Sequence, residues 1–220
     1  MNGEKERLTG TCLVYFGKMM AAISHEIKNS LAIINENAGL MEDLSLMAKG
    51  GNLLDPERIG AISGRIIKQI ERADTIVKKM NRLAHSVDDP LKELNIFEIL
   101  EFTIELGKKS ISSLGVEIKV VSPASPAIIN ANQFMVMNLF WEVIGYVGTR
   151  LNGASTMTIT IVKVPGGVEL VFTSVSDSGD GAIDLDKVFF GGLAATLHAS
   201  LNLAENNALV LKVHDALETI

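Results

Sequence analysis

The stretch Met20-Ala21-Ala22-Ile23-Ser24-His25-Glu26-Ile27-Lys28-Asn29-Ser30-Leu31-Ala32-Ile33-Ile34 decides how the first half of the chain is read. Its apolar residues recur at helical spacing, and the recurrence continues on both sides. Leu13, Met20, Ile27, Ile34 and Met41 lie seven apart, while Phe16, Ile23 and Leu44 hold the complementary seam positions that Ser30 and Asn37 interrupt. A heptad stripe kept over about four repeats predicts one long helix whose seam meets another helix. Lys49-Gly50-Gly51-Asn52 ends it with residues that accept a left-handed cap. Asp55-Pro56-Glu57 starts the next helix, with Asp as N-cap, Pro at the first helical position and Glu in the first turn. A second stripe follows through Ile59, Ile66, Ala73, Met80 and Val87, with Ile62, Ile76 and Leu83 between, until Asp88-Asp89-Pro90 closes it. The short connection predicts antiparallel neighbours, a helical hairpin.

A lone hairpin leaves much apolar surface in water. Pairing with a second copy into a four-helix bundle would bury it, so a homodimer is expected. The alternative is that the second half of the same chain covers the stripe. From about Leu94 the pattern changes. Residues 96–109 predict an amphipathic helix, with Ile96, Ile99, Leu100, Thr103 and Leu106 on one face. Residues 116–120 alternate as a strand, and 133–151 predict a helix containing Met137, Phe140, Trp141 and Ile144. Strands at 156–164 and 168–175 flank Pro165-Gly166-Gly167, a hairpin signal. A last helix is expected at 193–203 and a last strand at 208–213. The fold class is therefore an α-helical hairpin, residues 1–92, followed by an α+β sandwich, residues 93–220, with helices on one face of a mostly antiparallel sheet.

Composition excludes several classes. The 220 residues carry a net charge of -6, without the basic face that nucleic acid requires. The single Cys12 permits neither an internal disulfide nor a cysteine-based zinc site, which fits a reducing compartment. No apolar run reaches the roughly 18–20 residues of a membrane span, and the charged first residues do not read as a signal peptide. A cytoplasmic location, no nucleic acid and no membrane are the expectations.

In the heptad frame His25 falls opposite the seam, on the outward face. Asn29 is four residues on, with Glu26 alongside and Lys28 adding positive charge. A neutral imidazole is a competent nucleophile toward phosphorus, and an adjacent carboxylate can fix its tautomer and take up its proton. A surface histidine on a helix is most often simply solvated. The full string from Ala21 to Leu31, however, resembles the H-box of sensor histidine kinases, which sits on the first helix of a dimerising hairpin. The proline usual after the Asn is Ser30 here, so the kink it brings is not expected. The resemblance implies His25 as the phosphorylation site and Glu26 as its acid/base partner. It makes Asn29 the residue that helps water attack a regulator's aspartyl phosphate. The element order of the second half resembles the ATP-binding domain of the same family.

That second half departs from the family at its nucleotide site. In Asn138-Leu139-Phe140-Trp141-Glu142-Val143 the expected Mg²⁺-binding Asn is Glu142, and Trp141 and Val143 are bulky where small residues are usual. Asp177-Ser178-Gly179-Asp180-Gly181 is similar to the family's adenine-reading turn; Asp177, Gly179 and Gly181 are either a relic of it or an ordinary glycine turn. Only 39 residues follow Gly181 (220 minus 181), too few for a strand, a helix and a full lid. Phe189-Phe190-Gly191-Gly192-Leu193 would be its remnant. The expectation is a chain resembling the dimeric histidine phosphotransferases. Such a chain passes phosphoryl groups between receiver-domain aspartates of response regulators through His25. It has no cofactor or metal of its own, Mg²⁺ belonging to the receiver and ATP being unused. Two alternatives stay open: an active kinase with a compact site, and a non-catalytic scaffold that binds response regulators. His85, His198 and His214 stand in no metal-ligating pattern, and Glu36, Glu42 and Asp43 read as solvated charge.

Overall fold

The computed structural model of the chain describes residues 2–51, 53–123, 125–150, 155–175, 191–204 and 208–217. Two helices come first, α1 (Asn2–Lys49) and α2 (Pro56–Ala84). Their ends are set by the residues expected to set them. Gly51 takes φ +93 and donates its N–H to the Ala48 carbonyl at 3.0 Å, closing α1. The Asp55 carboxylate accepts from the Glu57 N–H at 3.0 Å and opens α2. A short 3₁₀ turn, His85–Val87, follows α2.

The remaining elements are β1 (Lys92–Asn95), α3 (Ile96–Ser113), β2 (Val116–Val121), β3 (Ile128–Ala131), α4 (Gln133–Gly148), β4 (Ser155–Val164), β5 (Gly167–Val175), α5 (Gly191–Thr196), β6 (Ala199–Leu203) and β7 (Leu209–His214). Five strands form one sheet in the order β2-β4-β5-β7-β6, in which β2–β4 is parallel and the other pairs antiparallel. The β4–β5 turn is Pro165–Gly166, with Gly166 at φ +74 and Val164 opposite Gly167. Met157, Ile159 and Ile161 of β4, Leu170 and Phe172 of β5, and Leu209, Leu211 and Val213 of β7 are all buried, every second residue of each strand. One face of the sheet thus forms the core with the buried faces of α3 and α4, including Leu100, Leu106, Met137 and Phe140. Asn95 and Asn132 cap α3 and α4 by accepting from the N–H groups of Phe97 (3.2 Å) and Met135 (3.0 Å).

Three features differ from the sequence reading. The stretch 193–203 is not one helix: α5 stops at Thr196, His198 takes φ +47, and residues 199–203 pair with β7 as an edge strand. Helix propensity there loses to the ladder hydrogen bonds a neighbouring strand offers. Strands β1 and β3 form a separate antiparallel pair, Leu94 opposite Ile129, which no local pattern announced. Third, the seam of α1 is shifted. Leu13 is 66% exposed, while Tyr15, Met19, Ile23, Ser30 and Asn37 are buried. The two polar interruptions are therefore among the most enclosed positions of the helix. Asn37 donates from Nδ2 to the Ile33 carbonyl at 2.7 Å, whereas Ser30 Oγ has no hydrogen-bond partner among the described residues.

The chain divides into two compact units, Met19–Ala84 and a larger one made of Met1–Lys18 with His85–Ile220. The first eighteen residues, which the sequence reading grouped with the hairpin as part of 1–92, thus group with the α+β sandwich. In the larger unit, Gly107 of α3 packs against the indole of Trp141, where a Cβ would overlap the ring. Gly107→Ala should destabilise that unit by about 1–3 kcal/mol through overpacking. As Trp141 is the only tryptophan, its emission should shift in the folded variant, and unchanged emission and melting would refute this packing.

Candidate functional site

His25 lies on α1 with its side chain exposed, and Asn29, one turn further, is also exposed. Glu26 is half-buried beside them, and Lys28 is exposed. Heptad register explains the arrangement: with Ile23 and Ser30 turned inward, positions 25 and 29 face solvent. An imidazole, a carboxylate, an amide and an ammonium thus share one helical surface. Nothing on α1 needs to move to expose them.

Of the expected nucleotide-site residues, Asp177, Gly179, Gly181, Phe189 and Phe190 lie outside the described residues. Glu142 is half-buried on α4 and borders a cavity of about 480 Å³ with Lys18, Ser110, Ser113, Trp141 and Tyr146. The Arg150 guanidinium lies 3.4 Å from the centre of the Tyr146 ring, a cation–π contact that keeps this charge on the tyrosine face.

One turn before Glu142 the face of α4 is taken. Phe134, Asn138 and Trp141 stand at i, i+4 and i+7, and the start of α1 packs against them. Tyr15 is fully buried, its ring 5.5 Å from Phe134 and 6.4 Å from Trp141 between centroids, and Phe16 lies 6.4 Å from Phe134. Asn138, also fully buried, donates from Nδ2 to Cys12 Sγ at 3.6 Å. Sequence reasoning missed this set of residues. The signal available was a phase change: Tyr15, Met19 and Ile23 run four apart, out of step with Leu13 and Met20.

Burial pushes the Tyr15 phenol far above its usual range, and it raises Cys12 as well, against a smaller opposing contribution from the Asn138 hydrogen bond. A raised pKa leaves less thiolate at any pH below it. Alkylation of Cys12 in the native protein should therefore run slower than that of a free thiol at pH 8 and need a higher pH to reach half its maximal rate. A pH–rate profile with iodoacetamide checks this, and a profile matching free cysteine would contradict it.

The other histidines hold ordinary positions. His85 is exposed with Nδ1 2.7 Å from Asp88 Oδ2, His198 is exposed, and His214 is half-buried at the end of β7. Among the described residues no group of three or more His, Cys, Asp or Glu side chains is placed to hold a metal ion, and no helix is long and apolar enough to cross a membrane.

No protein-family profile and no curated protein matches the chain. Solved structures similar to it include the Acinetobacter baumannii histidine kinase AdeS (12% identity, 87% of this chain and 98% of that one, TM-score 0.46). Histidine kinase ThkA, in complex with the response regulator protein TrrA, is similar at 17% identity over 99% of this chain and 65% of that one, TM-score 0.46. The cytoplasmic segment of histidine kinase QseC gives 11% identity over 69% and 92%, TM-score 0.43. At TM-scores below 0.5 these likenesses carry no weight for function.

Proposed function

We propose that this chain is a histidine phosphotransfer protein of a two-component phosphorelay, working without ATP. The observation that supports the reading best is the contrast between its two helical faces. His25 is open to a partner with Asn29 and Glu26 around it, while the Asn138 face of α4, next to the expected nucleotide residue Glu142, is filled by Cys12, Tyr15 and Phe16. A triphosphate near Glu142 would also meet a carboxylate in place of an amide.

In the proposed step a ring nitrogen of neutral His25 attacks the phosphorus of a receiver's aspartyl phosphate. The new P–N bond forms as the P–O bond to the aspartate breaks, and the aspartate leaves as a carboxylate. Phospho-His25 then carries a proton on its other ring nitrogen, and Glu26 accepts it or balances its charge. Transfer to a second receiver is the reverse. Lys28 and the Asn29 amide offer donors to the phosphoryl oxygens, and Mg²⁺ is supplied by the receiver, so the chain itself needs no cofactor. The location that fits is the cytoplasm, where response regulators work. A homodimer is part of the proposal. Leu31 on α1 and Ile67, Ile70 and Val77 on α2 are exposed apolar side chains on the hairpin, a surface that a second copy would cover in a four-helix bundle.

The test has two arms on one preparation. Incubation with a phosphorylated receiver domain is expected to label the chain on His25, and incubation with labelled Mg-ATP is not. Labelling from ATP would make the chain a kinase; labelling from neither source, across the receivers of the same organism, would leave a response-regulator-binding scaffold.

A further inference from the structure

The contact between the start of α1 and α4 is held by rings and weakened by polar groups. Tyr15 and Phe16 contribute apolar area against Phe134 and Trp141, and Leu8 approaches α5 where Gly192 leaves room, a Cβ there meeting Leu8 Cβ at 3.4 Å. Inside the same contact, the Tyr15 hydroxyl and Asn138 Oδ1 are buried with no hydrogen-bond partner among the described residues. The Asn138 amide nitrogen has only the Cys12 sulfur, a weak acceptor at 3.6 Å. Leaving such groups dry costs free energy that undocking would return, because water would satisfy them. Among the described residues of the sandwich no other buried side-chain polar atom lacks a partner: Thr103 donates to the Ile99 carbonyl at 2.8 Å, and Met157, Ile159, Leu170 and Leu211 have only hydrocarbon and sulfur in their side chains. The penalty is therefore local to the segment, as expected of a region that opens separately from the core.

We infer that residues 8–18 of α1 are a releasable cover on α4. Docked, they bury Asn138 and close its face of the helix. Released, they expose Asn138 next to Glu142 and free the part of α1 that precedes His25 by two turns, while the five-stranded sheet stays folded. The occupant of the α4 face is this chain's own segment, and nothing in its docking depends on the chemistry of His25.

Hydrogen–deuterium exchange of the full chain, with acrylamide quenching of Trp141, tests the cover. In the wild type, the amides of residues 8–18 are expected to exchange as a group, at least about tenfold faster than those of β4 and β5. Tyr15→Phe removes the dry hydroxyl and keeps the ring, so exchange of 8–18 should slow by about tenfold with β4 and β5 unchanged. Tyr15→Asp should speed exchange of 8–18 and raise Trp141 quenching, again with the sheet protected. If 8–18 exchanged at the rate of β4 and β5 in both the wild type and Tyr15→Phe, the segment would be a fixed part of the core and the inference wrong. Unprotected exchange of 8–18 in the wild type would overturn it too.

Discussion

His25→Ala is expected to abolish phosphoryl acceptance from receiver domains, down to background, while leaving the fold untouched. The two halves of that expectation rest on different observations. His25 is exposed on the outward face of α1. Alanine has the higher helix propensity, so stability should change by no more than about 0.5 kcal/mol. The nucleophilic nitrogen, by contrast, has no substitute nearby, because Lys28 and Asn29 form no comparable phosphorus adduct. Glu26→Gln makes the finer distinction. It keeps shape and removes charge, so transfer should continue but slow by about 10²–10⁴-fold if the carboxylate manages the proton. Circular dichroism and melting establish the fold, and a phosphorylated receiver supplies the label. A His25→Ala protein that still took up label would move the acceptor elsewhere on the chain and end the assignment.

Phe140→Ala should produce the largest loss of stability, about 3–5 kcal/mol. Phe140 is fully buried on α4, on the helix face that forms the sandwich core with the sheet. Truncation removes the ring and leaves a cavity that Met137, Leu139 and Ile144, equally enclosed on the same helix, can close only in part. Since domains of this size are held by about 5–15 kcal/mol, the melting point of the larger unit should fall by roughly 10 °C. Trp141 emission reports that unit directly. Val162→Thr, at a position of β4 that is 40% exposed, is the control and should change stability by less than about 0.5 kcal/mol. A Phe140→Ala melting point within 2 °C of the wild type, roughly the error of the comparison, would mean that the ring is not a core element.

The legible parts of this molecule are those whose causes are local. Helix limits at Gly51, Asp55, Asn95 and Asn132 follow from cap residues that satisfy backbone groups within a few positions. The Pro165–Gly166 turn follows from a fixed φ beside a positive one. The outward face of His25 follows from counting along one helix. Residues 193–203 were misread because Ala, Leu and Thr at that density suit a helix or an edge strand, and only the presence of β7 beside them selects the strand. The β1–β3 pair was missed for a similar reason: four-residue strands with 32 residues between them carry almost no pattern of their own.

The shared surface of His25 and its neighbours was readable because an imidazole, a carboxylate and an amide within five residues of one helix need no tertiary contact to lie together. The burial of Asn138 was not readable, because its cause lies 126 residues away at Cys12. Periodicity tells a helix which face to bury but not against what, so the stripe of α1 looked the same whether its start met α2, a second copy or α4. Sequence alone determined a long amphipathic helix presenting His25. Tertiary structure decided that the first eighteen residues group with the sandwich unit, where the rings of Tyr15 and Phe16 find Phe134 and Trp141. Hydrophobic burial is non-directional and goes to whichever complementary face the whole fold brings within reach.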